Sequence, residues 1–304
     1  MSTPKDKELF LFLLLTKSSG LGILRLEAGA VFGLGLPGRG GAMMSVREPC
    51  VAGAFYPAEA LTCRREIEEH LRRAGTKGLP TSPVAGLVPH AGWAYSGTTA
   101  ATVFRAVQEC CQPSTFVVYG AVHSWGVGRA ALMTTGSWWT PLGEMEIEEE
   151  LASQLLQASE GLVQENARAH VQEHSIEVQV PFLKHLFPEA KLVPLIVPPT
   201  AEAVPLGQAV GEVLQERGGE VFVLGTTDLT HYGSHYGFTP QGIGESALRW
   251  VKEVNDKRLL DLVVALRAED IVGETQHHHN ACGGGAIAAT VATARALGAR
   301  QGVI

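Results

Sequence analysis

The sequence predicts one α/β domain built as a three-layer sandwich, a mostly parallel central sheet with helices on both faces. Three observations predict it. Four short apolar runs, at 84–88, 116–119, 192–197 and 221–224, are unbroken rather than alternating, as strands covered on both faces should be. Stretches of helical length recur between and after them, which argues for a parallel sheet held between helix layers. A chain of 304 residues with 45% hydrophobic and 18% charged content can also bury one full core.

In chain order, residues 1–43 differ in character from the rest of the chain and are expected to be an upstream extension, the domain beginning near Met43 and Met44 and running over 44–304. The apolar run at 9–15 behind Lys5 and Lys7 looks like a secretory leader but is too short to span a bilayer, which takes about 20 apolar residues. Residues 33–38 satisfy a Gly-x-Gly-x-x-Gly pattern, but Pro37 lies inside it and no helix-forming stretch comes after it, so no nucleotide cofactor is expected. Residues 58–74 read as an amphipathic helix, with Leu61, Ile67 and Leu71 among Arg and Glu. Further helices are expected at 98–108, 148–157, 202–216, 244–255, 257–266 and 283–297. The run His277–His279 reads as an exposed loop, since three consecutive side chains cannot all face one ion.

The formal charge of −7 leaves no basic stripe, which speaks against nucleic-acid or membrane-surface partners and leaves a small molecule or a peptide as ligand. Five cysteines, two of them adjacent at Cys110 and Cys111, read as reduced thiols of a cytoplasmic protein.

Three strand exits end in chemistry-bearing residues: Val88-Pro89-His90-Ala91-Gly92, Tyr119-Gly120-Ala121-Val122-His123 and Gly225-Thr226-Thr227-Asp228-Leu229-Thr230-His231. In open α/β sheets ligands sit outside the carboxyl ends of the strands, so this repetition places the three groups at one edge of the sheet. Two imidazoles from different exits plus an anionic third donor make an open metal site, with His90, His123 and Cys282 as candidates. Cys282 precedes a helix whose N-terminal dipole should lower its thiol pKa. Asp228 and His231, three apart, suit an oriented general acid/base. Glu173, His174 and Glu177, just before Pro181, read either as partners of a ligating histidine or as a helix N-terminal cap. Trp93, Tyr95 and Trp125, with Trp138 and Trp139, either wall an aromatic-lined pocket or pack the core.

Taken together, several segments resemble the Memo family (mediator of ErbB2-driven cell motility), known in microbes as protein B of the AmmeMemoRadiSam system. They are the run from Arg47-Glu48-Pro49 to Phe55-Tyr56-Pro57, Pro89-His90-Ala91-Gly92-Trp93-Ala94-Tyr95-Ser96-Gly97, Gly120 to His123, Thr140-Pro141-Leu142-Gly143, Glu173-His174-Ser175-Ile176-Glu177 with Pro181-Phe182-Leu183, Asp228 to Tyr232, and Cys282-Gly283. The resemblance implies a fold similar to class III extradiol dioxygenases (LigB-like) and a pocket at His90, His123 and Cys282, with Asp228 and His231 beside it. A thiolate in place of a carboxylate suits zinc, copper(I) or reduced iron, so ring cleavage is not implied by the fold. The second exit carries one histidine, succeeded by Ser124 and Trp125, where relatives often show a pair. Relatives also usually continue past Ile304 with another strand-forming segment, so a C-terminal truncation is expected.

Three functions compete. The first is a metal-dependent redox enzyme on a small substrate, with iron or copper, or zinc, held by His90, His123 and Cys282. The second is a binding module without chemistry. The third, implied only by the microbial family name, is a partner role beside a radical enzyme in a modification system.

Overall fold

The computed structural model describes residues 13–16, 46–75, 82–124 and 126–304. The Gly-x-Gly-x-x-Gly match and Trp125 lie outside these. A backbone strand, β1 (Leu13–Thr16), comes from the stretch expected to precede the domain. Next in the chain are β2 (Val46–Arg47) and α1 (Ala60–Arg73). The Glu59 carboxylate caps α1 on the backbone N–H groups of Leu61 and Thr62, and Cys63, Ile67 and His70 form its buried stripe at helical spacing. Then come β3 (Pro83–Val88), α2 (Trp93–Cys110) and β4 (Thr115–Gly120). Helix α2 opens ahead of the expected residue 98 because Trp93, Ser96, Gly97, Ala100, Ala101 and Phe104 already carry the buried period.

Strands β5 (Ala130–Leu132), β6 (Ser137–Thr140) and β7 (Gly143–Glu146) lead to α3 (Glu149–Ala158) and β8 (Val163–Glu165). Two 3₁₀ turns, Ala167–His170 and Glu177–Gln179, precede α4 (Val180–Leu186), which takes Pro181 in its first turn where no N–H is needed. The chain continues through β9 (Lys191–Ile196), α5 (Ala203–Gln215), β10 (Val221–Thr226) and α6 (Glu245–Trp250). A π-helical turn, Val251–Asn255, joins α6 to α7 (Asp256–Val264). Last come α8 (Ala268–His278), α9 (Gly284–Ala296) and β11 (Gln301–Val303).

The main sheet runs β11-β1-β3-β10-β4-β9-β5-β8, and a small one runs β2-β6-β7. The centre of the main sheet, β3-β10-β4-β9, is parallel, while β1 and β5 join it antiparallel. Helices α1, α2 and α4 pack together on the β3 side, and α9 covers β3, β4 and β10 from the other, backed by α5 and α8. Helix α9 is buried all round from Gly284 to Ala294, as a helix between a sheet and other helices must be. The approach to α5 needs Gly207, where a Cβ would stand 2.3 Å from the carbonyl oxygen of Ala289. Among the described residues, no helix is long and apolar enough to cross a membrane.

Register decides where the site falls. Thr226 of β10 lies level with Val88 of β3, and Gly225 with Tyr119 of β4. The three strands therefore end together, and their exits deliver His90, Asp228 and His123 to one edge.

Candidate metal centre

The His90, His123 and His174 side chains each offer a donor atom, and these donors lie within 4.8 Å of one another. The rings of His123 and His174 stack at 4.5 Å, and His90 stands edge-on to both at 5.1 and 5.5 Å. His90 is buried, at 1% exposure, because the strand end tucks it under the loop after β10. His123 and His174 face the cavity.

Two of the rings are fixed from behind. His123 Nδ1 meets Glu173 Oε1 at 2.9 Å, and the other oxygen of Glu173 accepts the His123 backbone N–H at 2.6 Å, which leaves Nε2 free as a donor. His90 Nδ1 meets Thr226 Oγ1 at 3.1 Å, so its Nε2 faces Cys282 Sγ at 3.2 Å and Asp228 Oδ2 at 3.9 Å. Cys282 is itself clamped to the Asp228 backbone: its own N–H donates to Asp228 O, and the Asp228 N–H donates to its Sγ.

Burial is the largest influence on His90 and pulls its pKa down to about 4, with His123 and His174 adding to it against the opposing pull of Asp228. Burial likewise lowers His174. Neutral imidazole is the ligating form. Glu173 is pushed up most strongly by burial, but hydrogen bonds from His123 and Ser175 together outweigh that and hold it at about 2. The cluster thus gathers imidazoles beside a thiol and a carboxylate, a nitrogen-rich donor set unlike the oxygen sets that magnesium and calcium take.

One expectation is overturned at Cys282. Burial, reinforced by Asp228, pushes its thiol up to about 12 rather than down. Helix α9 begins only at Gly284, so the dipole acts from beyond the cysteine while desolvation acts on it directly.

The cluster forms part of the lining of a cavity of about 1150 Å³, walled further by Phe55, Tyr95, Asp228, His231, Tyr236 and the α6–α7 region. The Asp228 Oδ1 accepts the backbone N–H groups of His90 (2.8 Å) and Ala91 (3.1 Å). Its Oδ2 is 3.9 Å from His231 Nε2, and His231 stands half-exposed on the same wall.

Other expected residues fall elsewhere. Trp93 is not on the wall: its indole is 1% exposed in the core, packed on Tyr56 and Phe182 with Nε1 donating to Val178 O. Trp138 lies in β6 beneath the Arg47 guanidinium, 4.4 Å away. Glu177 touches none of the three histidines and instead ties down Arg47, Cys50, Val51 and Tyr56. Tyr95 stands at the mouth, 69% exposed. The His277–His279 run is not a loop, since His277 and His278 close α8 and His279 caps it in the left-handed conformation at φ 50°. His174 lies within the histidine cluster itself, where its sequence context pointed only to a supporting role. Thr226 and Phe55, whose ring meets His174 edge-on at 5.0 Å, carried no signal of their own.

Residues 47–304 match the family described as Memo-like protein. A MEMO1 family protein of Thermococcus onnurineus is 37% identical over 265 residues, covering 84% of this chain and 90% of the relative. Another, from Pyrococcus abyssi, is 36% identical over 267 residues with the same coverage. A solved structure of an uncharacterized Escherichia coli protein matches at a TM-score of 0.42 with 13% identity, over 64% of this chain and 80% of that one, too low a likeness to argue from.

Proposed function

The chain belongs to the Memo family, and from that premise we propose that it is a metal-dependent protein acting on a small ligand in the cavity. His90, His123 and His174, with Cys282 beside them, would hold iron or copper, or zinc. The convergence of three imidazole donors within 4.8 Å on the cavity lining carries this reading. Such an ion supplies Lewis acidity and, for iron or copper, one-electron chemistry.

The chain's own residues divide the remaining work. His231, exposed to the cavity and beside Asp228 Oδ2, is suited to take or give a proton at Nε2. Asp228 stays put because two backbone N–H groups hold its other oxygen. Glu173 keeps His123 in the tautomer that offers Nε2. Phe55 packs edge-on against His174 and helps to hold its ring in place.

Elemental analysis tests this on protein purified without a histidine tag under anaerobic conditions. Wild type should carry close to one iron, copper or zinc per chain, and His123→Ala, His174→Ala and Cys282→Ser should each lose most of it. A folded wild type that takes up no metal on reconstitution sinks the proposal and leaves the binding-module reading. That reading draws on the exposed rim of Tyr95, Tyr236 and Ile243, at 69%, 57% and 83%.

A further inference from the structure

The cavity wall away from the histidines is formed by α6, the π-helical turn and α7, and two opposite charges stand on it. Lys252 is the one lysine or arginine among the described residues that line the cavity, and Asp256 lines it four residues later. In a regular α-helix such a pair stacks one turn apart and bonds to itself, as Lys257 and Asp261 do at 2.6 Å on α7. Lys252 and Asp256 do not, and Lys252 forms no ion pair with any described residue. Lys252 lies within the π-turn Val251–Asn255 and Asp256 directly follows it, where the helix is wider than a regular α-helix.

Asp256 is turned so that one oxygen, Oδ1, accepts from Thr230 N (3.1 Å) and Thr230 Oγ1 (2.5 Å), while Asn255 Nδ2 donates to the same hydroxyl at 3.0 Å. Its second oxygen has no hydrogen-bond partner among the described residues. The residue is 7% exposed, its Oδ1 is satisfied by Thr230, and Lys252 acts on the carboxylate through its charge without bonding to it, which leaves Oδ2 for a cationic group in the cavity. Glu245, the other acid of this wall, is exposed and already lies 3.8 Å from Arg249.

A cation and an anion side by side, facing one cavity and not bonded to each other, are complementary to a ligand that carries both charges. We propose that Lys252 and Asp256 form a subsite for a zwitterionic head group, a carboxylate and a primary ammonium on one carbon, as in an α-amino acid. Lys252 donates to the carboxylate and Asp256 accepts from the ammonium. A doubly anionic group is disfavoured, because Asp256 and Glu245 would both repel it. Phe55, Tyr95 and Tyr236, which line the same cavity, suit an aromatic remainder. This subsite rests on the cavity being the ligand site proposed above.

Isothermal titration of the metal-loaded full chain with L-phenylalanine, phenethylamine and hydrocinnamate tests it. Phenylalanine should bind at least roughly tenfold more tightly than either single-charge probe. Lys252→Met should weaken phenylalanine to the phenethylamine level and leave phenethylamine unchanged. Asp256→Asn, which keeps an oxygen for Thr230, should weaken phenylalanine to the hydrocinnamate level and leave hydrocinnamate unchanged. If the asparagine variant does not fold, Lys252→Met decides alone. Equal affinity for the three probes, no binding of phenylalanine, or unchanged binding in Lys252→Met, as chelation at the metal would give, overturns the proposal. Metal content measured on the same samples separates the two readings. Full metal with no probe discrimination sinks the subsite alone, and the discrimination pattern without metal sinks the metal centre alone.

Discussion

Two polar clusters lie on opposite sides of the segment from His170 to Glu177, and they are built from the same kinds of residue to opposite ends. On one side Arg47 donates to His170 O, Glu173 O and the Glu177 carboxylate, with its guanidinium over Trp138. Glu177 is completed by Cys50 N, Val51 N and Tyr56 OH. Arg47 and Glu177 thus find all their partners inside the protein. On the other side His90, His123 and His174 converge through nitrogens that no protein carboxylate completes at bonding distance, with His90 and His123 held from behind. The Arg47–Glu177 pair, completed by protein groups, fixes the chain, whereas the three convergent imidazoles line the cavity, where a ligand can reach them. The two share a hinge point, since the Glu173 backbone serves Arg47 and its side chain serves His123.

Removing a partner on the saturated side should have the largest effect on folding. Glu177→Ala leaves the Arg47 guanidinium buried without its anion and should cost about 3–5 kcal/mol in chemical denaturation. A loss under about 1 kcal/mol would show that the cluster is not what anchors residues 47–56. The same carboxylate sharpens the comparison through pH. Burial pushes its pKa up most, but Arg47 and the Cys50 and Val51 N–H groups together hold it below the ordinary range. Its contribution is therefore complete above the unfolded carboxylate pKa and is lost as pH falls through the lower folded value. Glu177→Gln should flatten that part of the acid-unfolding curve.

Glu173→Gln reaches the boundary between the clusters. The amide still accepts or donates one hydrogen bond but no longer imposes the His123 tautomer. Metal affinity should fall about 10–100-fold in competition with a chelator. An unchanged affinity would detach Glu173 from the centre. The smallest effect on stability is expected at His231→Gln, within about 0.5 kcal/mol of wild type and with metal content intact, because the ring is half-exposed and only loosely met by Asp228. If that variant instead unfolds or loses metal, His231 belongs to the scaffold and not to the proton chemistry.

Much of this is legible in the chain itself. The apolar runs at 84–88, 116–119, 192–197 and 221–224 are all strands of the main sheet, within a residue or two at their ends. Three exits ending in His90, His123 and Asp228 are readable because the residue after a buried parallel strand must emerge at the strand's carboxyl end. Helix α8 is harder to read because three histidines at its end suggest a loop, whereas Ala268, Ile271 and Thr275 carry its buried period. Trp93 is drawn toward the pocket by its neighbours in sequence. Its place at the first turn of α2 turns it instead onto Phe182.

By itself, then, the sequence determined the layer architecture, the edge at which chemistry could gather and most of the residues gathered there, because hydrophobic period and strand polarity are local properties. Only the tertiary structure decided that His174 joins the cluster while Glu177 turns away. It also decided that the Cys282 thiol is raised by desolvation and that a π-turn leaves Lys252 and Asp256 side by side on the cavity wall. Those outcomes depend on distances between segments far apart in the chain and on how much water each group loses, and neither is written in any one stretch of residues.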